Sequence, residues 1–235
     1  MRILAFDSTA ITASVAVAED EKLIAEITLN NGNTHSQTLL PMAESLFRML
    51  NITADDINLF AVSEGPGSFT GVRIGAATVK GLAFGRDAQC IGVSTLEALA
   101  YNLRGYKGVI CPVMNARRSQ VYTALFRSDG KTLTRLMPDS ALAISELDEK
   151  LAEYGERVML CGDGYGITKA GFEKTPTADT TDRLTHQSGY SVASVALREY
   201  LAGNATDDMR AKVTYLRPSQ AERELMDKQS KKGEK

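Results

Sequence analysis

Apolar residues along this chain follow two rhythms, and the changes of rhythm mark out its elements. Ile3 to Phe6 is a continuous apolar run ending at Asp7, the pattern of a strand covered on both faces. Residues 13–18 form a second strand. Residues 22–29 form a third, with Leu23, Ala25, Ile27 and Leu29 at alternate positions. After the Asn30-Asn31-Gly32-Asn33 turn cluster the period changes to 3.6. Leu39, Leu40, Ala43, Leu46, Phe47 and Leu50 then make one stripe of a helix predicted over 34–50, with Pro41 in its first two turns. A strand at 58–63, a helix at 70–85, a strand at 89–92 and a helix from Ser94 to about Asn102 follow. The rest of the chain repeats this order, with strands at 108–114, 119–127 and 131–137, a helix at 145–153, a strand at 157–162 and a helix at about 190–202. Each half reads β-β-β-α-β-α, a duplication of element order without an obvious sequence repeat. Two mixed α/β lobes are expected, over 1–104 and 105–235, with a disordered tail from about 227.

The stretch 61–85, AVSEGPGSFTGVRIGAATVKGLAFG, stands apart. A strand meets the Gly65-Pro66-Gly67 turn, and a helix begins near Ser68 or Thr70, hydroxyl residues suited to capping it. That helix carries Gly71, Gly75, Gly81 and Gly85. Each interior glycine costs about 1 kcal/mol relative to alanine. Repeated acceptance of that cost predicts close approach of another backbone along a side-chain-free ridge. The neighbour is expected to be another chain, packing within this chain being the alternative.

Composition narrows the classes of function. The 235 residues are 43% hydrophobic, enough for one large core or two small ones. A net charge of −2 and a pI near 5.8 argue against a broad, sequence-blind nucleic-acid surface. From Arg210 onward eight Lys or Arg face four Asp or Glu, which reads as a solvated tail. Cys90, Cys111 and Cys161 sit beside apolar residues without a CxxC pair, as buried thiols in a reducing compartment do. No signal sequence is visible and no apolar stretch approaches the length of a membrane span, so a cytoplasmic location is expected.

Candidate chemistry is sparse. Asp7-Ser8-Thr9 follows the first strand, and a carboxylate with two hydroxyls there suits a hydrated Mg²⁺ or phosphate as well as a plain strand-end turn. Joined to a three-stranded start and a duplicated lobe, it suggests the actin-like ATPase architecture. His35 and His186 have no second histidine within a turn, so a metal site is not expected. His35 reads as an interface or helix-start residue. Neither a G-x-S-x-G elbow nor a G-x-x-x-x-G-K-[ST] phosphate loop occurs. Arg117 and Arg118, between two strands, suit either a phosphate or carboxylate partner or an exposed hairpin.

Six segments together carry a resemblance: ILAFDST at 3–9, THSQTLLP at 34–41, EGPGSFTGVRIG at 64–75, GVSTLEALA at 92–100, NARRSQVY at 115–122 and TYLRP at 214–218. The chain resembles the bacterial TsaB family, also called YeaZ. The resemblance implies the actin-like ATPase (ASKHA) fold, with two lobes of ribonuclease-H type. It implies a part in making threonylcarbamoyladenosine, a modification of the tRNA adenosine 3′ of the anticodon. It also implies a non-catalytic role as partner of TsaD, which transfers the threonylcarbamoyl group, with the ATPase TsaE joining the pair. The metal histidines of the N-H-x-E-G-H motif of TsaD fall on Thr95 and Leu99, neither able to ligate a transition metal. The Ser-Gly-Gly-His loop of TsaD falls on Asn115-Ala116-Arg117-Arg118, and family members more often carry aspartate in this block.

The expected function is therefore a scaffold acting through its 34–50 and 70–85 helices, paired with the equivalent helices of TsaD in a four-helix arrangement. His35, Leu39, Leu46, Val72, Gly75 and Val79 are the interface residues expected, the apolar ones being either core or contact. The same surface predicts a homodimer in isolation. Contact with tRNA is expected only through the complex. No cofactor is expected on the isolated chain, with Asp7, Ser8 and Thr9 as remnant candidates and ATP or ADP entering with TsaD and TsaE. The competing reading is a kinase-like or glycoprotease-like enzyme of the same superfamily.

Overall fold

In a computed structural model that describes residues 1–205, the alternation of the first strand resolves into two different cores. Strand β1 (Arg2–Asp7) sends Leu4 and Phe6 to one side and Ile3 and Ala5 to the other, all fully buried. It pairs antiparallel with β2 (Ala13–Glu19), which pairs antiparallel with β3 (Lys22–Leu29). On its other side β1 pairs parallel with β4 (Leu59–Ser63), and β4 with β5 (Gln89–Val93), giving the order β3-β2-β1-β4-β5. The helices of this half are α1 (His35–Leu50), α2 (Phe69–Ala83) and α3 (Thr95–Tyr101).

The second half repeats the plan. Strands β6 (Lys107–Asn115), β7 (Gln120–Asp129) and β8 (Leu133–Ala143) run antiparallel, and β9 (Val158–Cys161) joins β6 in parallel, followed by β10 (Thr177–Ala178). The order β10-β9-β6-β7-β8 is that of the first sheet, read from the other edge. Helices α4 (Ile144–Ala152), α5 (Tyr165–Gly171), α6 (Asp182–Thr185) and α7 (Gly189–Leu201) complete it. This is the actin-like ATPase architecture expected from the duplicated element order, with a ribonuclease-H-type sheet in each half.

Four clusters show the layering. Leu4, Phe6, Phe60 and Val62 meet Leu39, Leu46 and Val79 between the first sheet and α1–α2. The opposite face, Ile3, Ala5, Leu59 and Ala61, packs on Val192, Val195 and Ala196 of α7. Leu96 and Leu99 of α3 lie with Ile110, Phe126 and Cys161 of the second sheet, whose outer face is covered by Leu147 and Leu151 of α4. The two middle helices are thus exchanged: α3, encoded in the first half, packs on β6 and β7, and α7, encoded in the second, packs on β1 and β2. All three cysteines are buried, and burial pushes the Cys111 thiol pKa up to about 12.

One expectation needs adjustment. Strand β8 runs past Pro138 to Ala143, because a proline is tolerated on the edge strand of a sheet. The tail expected from about 227, with the TYLRP segment, lies outside the described residues. Among the described residues no helix is long and apolar enough to cross a membrane.

Candidate functional site

The expected Asp7-Ser8-Thr9 site is a junction whose polar groups face one another. Asp7 lies at the carboxyl end of β1 and is fully buried. Its Oδ1 accepts from the backbone N–H and hydroxyl of Thr9 at 2.9 and 2.7 Å, and its Oδ2 accepts from Ser63 Oγ at 2.6 Å. Burial pushes its pKa up, and the donors from Ser63 and Thr9, with His35 nearby, only partly offset that. Ser8 Oγ donates to the Gly71 carbonyl at 2.9 Å, while the Thr9 carbonyl accepts from Ser68 N at 2.6 Å. A carboxylate already holding three protein donors does not fit a hydrated Mg²⁺. It fits a clasp joining β1, β4 and the start of α2. Among the described residues no group of three or more His, Cys, Asp or Glu side chains is placed to hold a metal ion.

The glycines explain the clasp and correct an expectation. A Cβ on Gly71 would land on the Ser8 carbonyl, one on Gly75 would lie 2.6 Å from Ser8 Oγ, and one on Gly67 would lie 2.5 Å from the Thr9 carbonyl. At Gly67, Gly71 and Gly75 the close neighbour is therefore this chain's own β1–β2 connection. Gly75 is spent inside the molecule. Gly81 and Gly85 have nothing within 4 Å of an added Cβ. Ser68 is the N-cap of α2, its Oγ accepting from Gly71 N at 3.2 Å.

The remaining interface candidates are distributed in the same way. Leu39, Leu46, Val72 and Val79 are buried in the isolated chain, so of the two roles open to them they take the core role. Leu39, Ala43 and Leu46 of the α1 stripe turn inward, and Leu40 of the same stripe does not. His35, half-buried at the start of α1, lies against Gly71, and its Nε2 is 2.6 Å from the Ala10 carbonyl, which makes Nε2 the protonated nitrogen. Its Nδ1 is buried without a partner among the described residues.

What the helix pair presents outward is different. Helix α1 exposes Leu40 at 44% and Met49 at 66%, and Phe84, the residue after α2, is 72% exposed. Along α2 the outward positions are Thr70, Arg73, Ala77 and Gly81, with the Arg73 guanidinium 3.8 Å over the Phe69 ring. Sequence reasoning counted Leu40 into the inward stripe and passed over Met49 and Phe84, because single exposed apolar residues have no periodic signal of their own.

The positions matched to the metal histidines of TsaD are structural. Thr95 and Leu99 lie on α3 and are buried, Leu99 in the core shared with the second sheet. The Arg117-Arg118-Ser119 turn between β6 and β7 is left-handed at all three residues, with φ of 63°, 55° and 55°. It is held by Arg117 N donating to Asn115 Oδ1 at 2.8 Å and by Asn115 N donating to Asp163 Oδ1 at 3.0 Å. Asn115 ends β6 as Asp7 ends β1, so the duplicated lobe has an amide where the first has a carboxylate.

Comparison with known proteins agrees with this geometry. A family model described as TsaD, tRNA N6-adenosine threonylcarbamoyltransferase, matches residues 22–224. The tRNA threonylcarbamoyladenosine biosynthesis protein TsaB of Bacillus subtilis (strain 168) is 35% identical over 173 residues, 74% of this chain and 76% of that protein. The protein of the same name from Escherichia coli (strain K12) is 38% identical over 131 residues, 55% of this chain and 56% of that one. Among solved structures, YeaZ from Pseudomonas aeruginosa superposes with a TM-score of 0.78 at 23% identity, over 92% of this chain and 99% of that one, a likeness of fold.

Proposed function

Since the chain belongs to the TsaB family and its role lies in threonylcarbamoyladenosine biosynthesis on tRNA, we propose that it is the non-catalytic partner that binds TsaD and enables the transfer step. The observation that carries this reading is the outward face of α1 and α2. Their inner faces are consumed by the core, yet Leu40, Met49 and Phe84 of the helix pair remain in solvent, and so do the flat positions Ala77 and Gly81. Helices bearing small residues approach a partner pair near the lower end of the usual range of about 8–10 Å. A stable contact of this type buries roughly 1,200–2,000 Å².

The non-catalytic part rests on chemistry that the described residues lack. Thr95 and Leu99 are packed where a metal-binding paralogue would need imidazoles, and Asp7 is committed to Thr9 and Ser63. Membership of a family described by its transferase therefore carries the scaffold without the transferase site. In this reading the same face forms a homodimer when TsaD is absent. TsaE joins the pair, bringing ATP or ADP with it, and tRNA meets the assembly chiefly through TsaD. The setting is the cytoplasm.

The test is a reconstituted tRNA-modification assay with the adenylate-forming enzyme, TsaD and TsaE from the same organism. Modified adenosine should accumulate only when this chain is added. Equal modification without it would remove the proposal.

A further inference from the structure

We propose that Glu97 is the hub of an electrostatic latch that ties the two lobes into one rigid body. The lobes meet where α3, lying on the second sheet, crosses α7, lying on the first. Glu97 sits at that crossing and offers one carboxylate oxygen to each side. Its Oε2 accepts from Arg135 Nη2 of β8 at 2.8 Å, and its Oε1 accepts from Arg198 Nη2 of α7 at 2.6 Å. Arg135 is held in turn by Asp139 at 2.5 Å and lies 4.6 Å over the Phe126 ring. Asp139 accepts from the hydroxyl of Ser94 at 2.6 Å, and that hydroxyl caps α3 by accepting from Glu97 N at 3.2 Å. The edge strand β8, the connecting helix α3 and helix α7 are thus joined by one chain of charge-assisted bonds.

Three features set this apart from an ordinary surface ion pair. The Glu97 side chain is only 15% exposed, so its two bonds are less screened than exposed ones. Both guanidiniums share one carboxylate, so a single side chain is ordered for two bridges. The Arg198 bridge also crosses from α3 on the second sheet to α7 on the first, while the Arg135 bridge anchors Glu97 within the second, so the pair resists opening between the lobes more than unfolding within either. The latch follows from the fold alone and stands or falls separately from the partner role.

Hydrogen exchange on the full chain tests it with Glu97→Gln. The amide keeps the shape and loses the charge, while Arg135 retains Asp139 and Arg198 retains Glu199 at 2.7 Å, so the variant keeps its fold. Amides of α3 and α7 should exchange about tenfold faster, equivalent to about 1.4 kcal/mol, with those of α1 and β4 unchanged. Arg198→Gln should reproduce the effect, and the double variant should add little to either single change. Unchanged exchange in both single variants would show that apolar packing alone holds the lobes and would overturn the proposal. So would a uniform rise across the whole chain.

Discussion

Gly71 and Gly81 stand in the same helix, yet the surroundings of each ask for opposite things. At Gly71 an added methyl meets the Ser8 carbonyl, a backbone atom that cannot move without moving β1. Gly71→Ala should therefore lower the unfolding free energy by roughly 1–3 kcal/mol in urea titration. At Gly81 the space is open, and Gly81→Ala should raise it by about 0.5–1 kcal/mol through helix propensity. Equal effects at the two sites would contradict the packing of α2 on the β1–β2 connection. A second residue-scale case is Asp148, a buried carboxylate that accepts the N–H groups of Glu173, Lys174 and Thr175 at 2.8, 2.9 and 2.9 Å. Burial alone would raise its pKa, but these donors win and hold it below the ordinary 3.8. The ionised form is favoured by folding, so its contribution is present above that value and lost as pH falls through the lowered one. Asp148→Asn should cost roughly 1.5–3 kcal/mol at neutral pH. The gap from wild type should close on acidification below 3.8, as followed by denaturation at stepped pH.

At the scale of elements, the question is which side of each helix does which work. Ala77 faces solvent in the middle of α2, away from the core positions Val72, Ala76 and Val79. Ala77→Arg should leave the melting temperature of the isolated chain within a few degrees of wild type. It should weaken binding to TsaD by at least about tenfold, and self-association with it, because a long cation cannot enter a close helix contact. Calorimetric titration against TsaD together with light scattering of the free chain reads both, and unchanged associations would place the interface elsewhere. The sequence carried much of this layout. The continuous apolar run of β1 announced a strand covered on both faces, and the stripe from Leu39 to Leu50 announced α1. It could not announce whether that stripe faced the core or a partner, since both are apolar. Short α5, β10 and α6 escaped because a few residues hold too little periodicity, and the strand expected over 131–137 fell short of Ala143 because edge position, which tolerates Pro138, is a property of the sheet. The glycine ridge was legible as a demand for closeness but not as to whose backbone came close.

For the whole molecule, the duplicated element order was visible from one sequence, and the exchange of α3 and α7 was not. Nothing local in VASVAL distinguishes a helix destined for its own sheet from one destined for a sheet more than a hundred residues away in the chain. The exchange predicts that residues 1–104 do not fold alone. Such a fragment lacks α7 over Ile3, Ala5, Leu59 and Ala61, and its α3 has no second sheet to cover. It should bind a hydrophobic dye and show no cooperative thermal transition, whereas a sharp transition would mean the first sheet is stable with one face bare.

The same crossing sets a timetable. On the ribosome, β5 emerges long before α7, and the stretch between them, from Val93 to Leu201, takes on the order of ten seconds to make at typical elongation rates. Through that interval the first sheet cannot complete its fold, because one apolar face waits in water for a helix not yet translated. The nascent chain is at its stickiest when it is nearly half made. Its escape from aggregation therefore depends on how quickly the second half is delivered, and slow codons between Val93 and Gly189 would lengthen the period of risk.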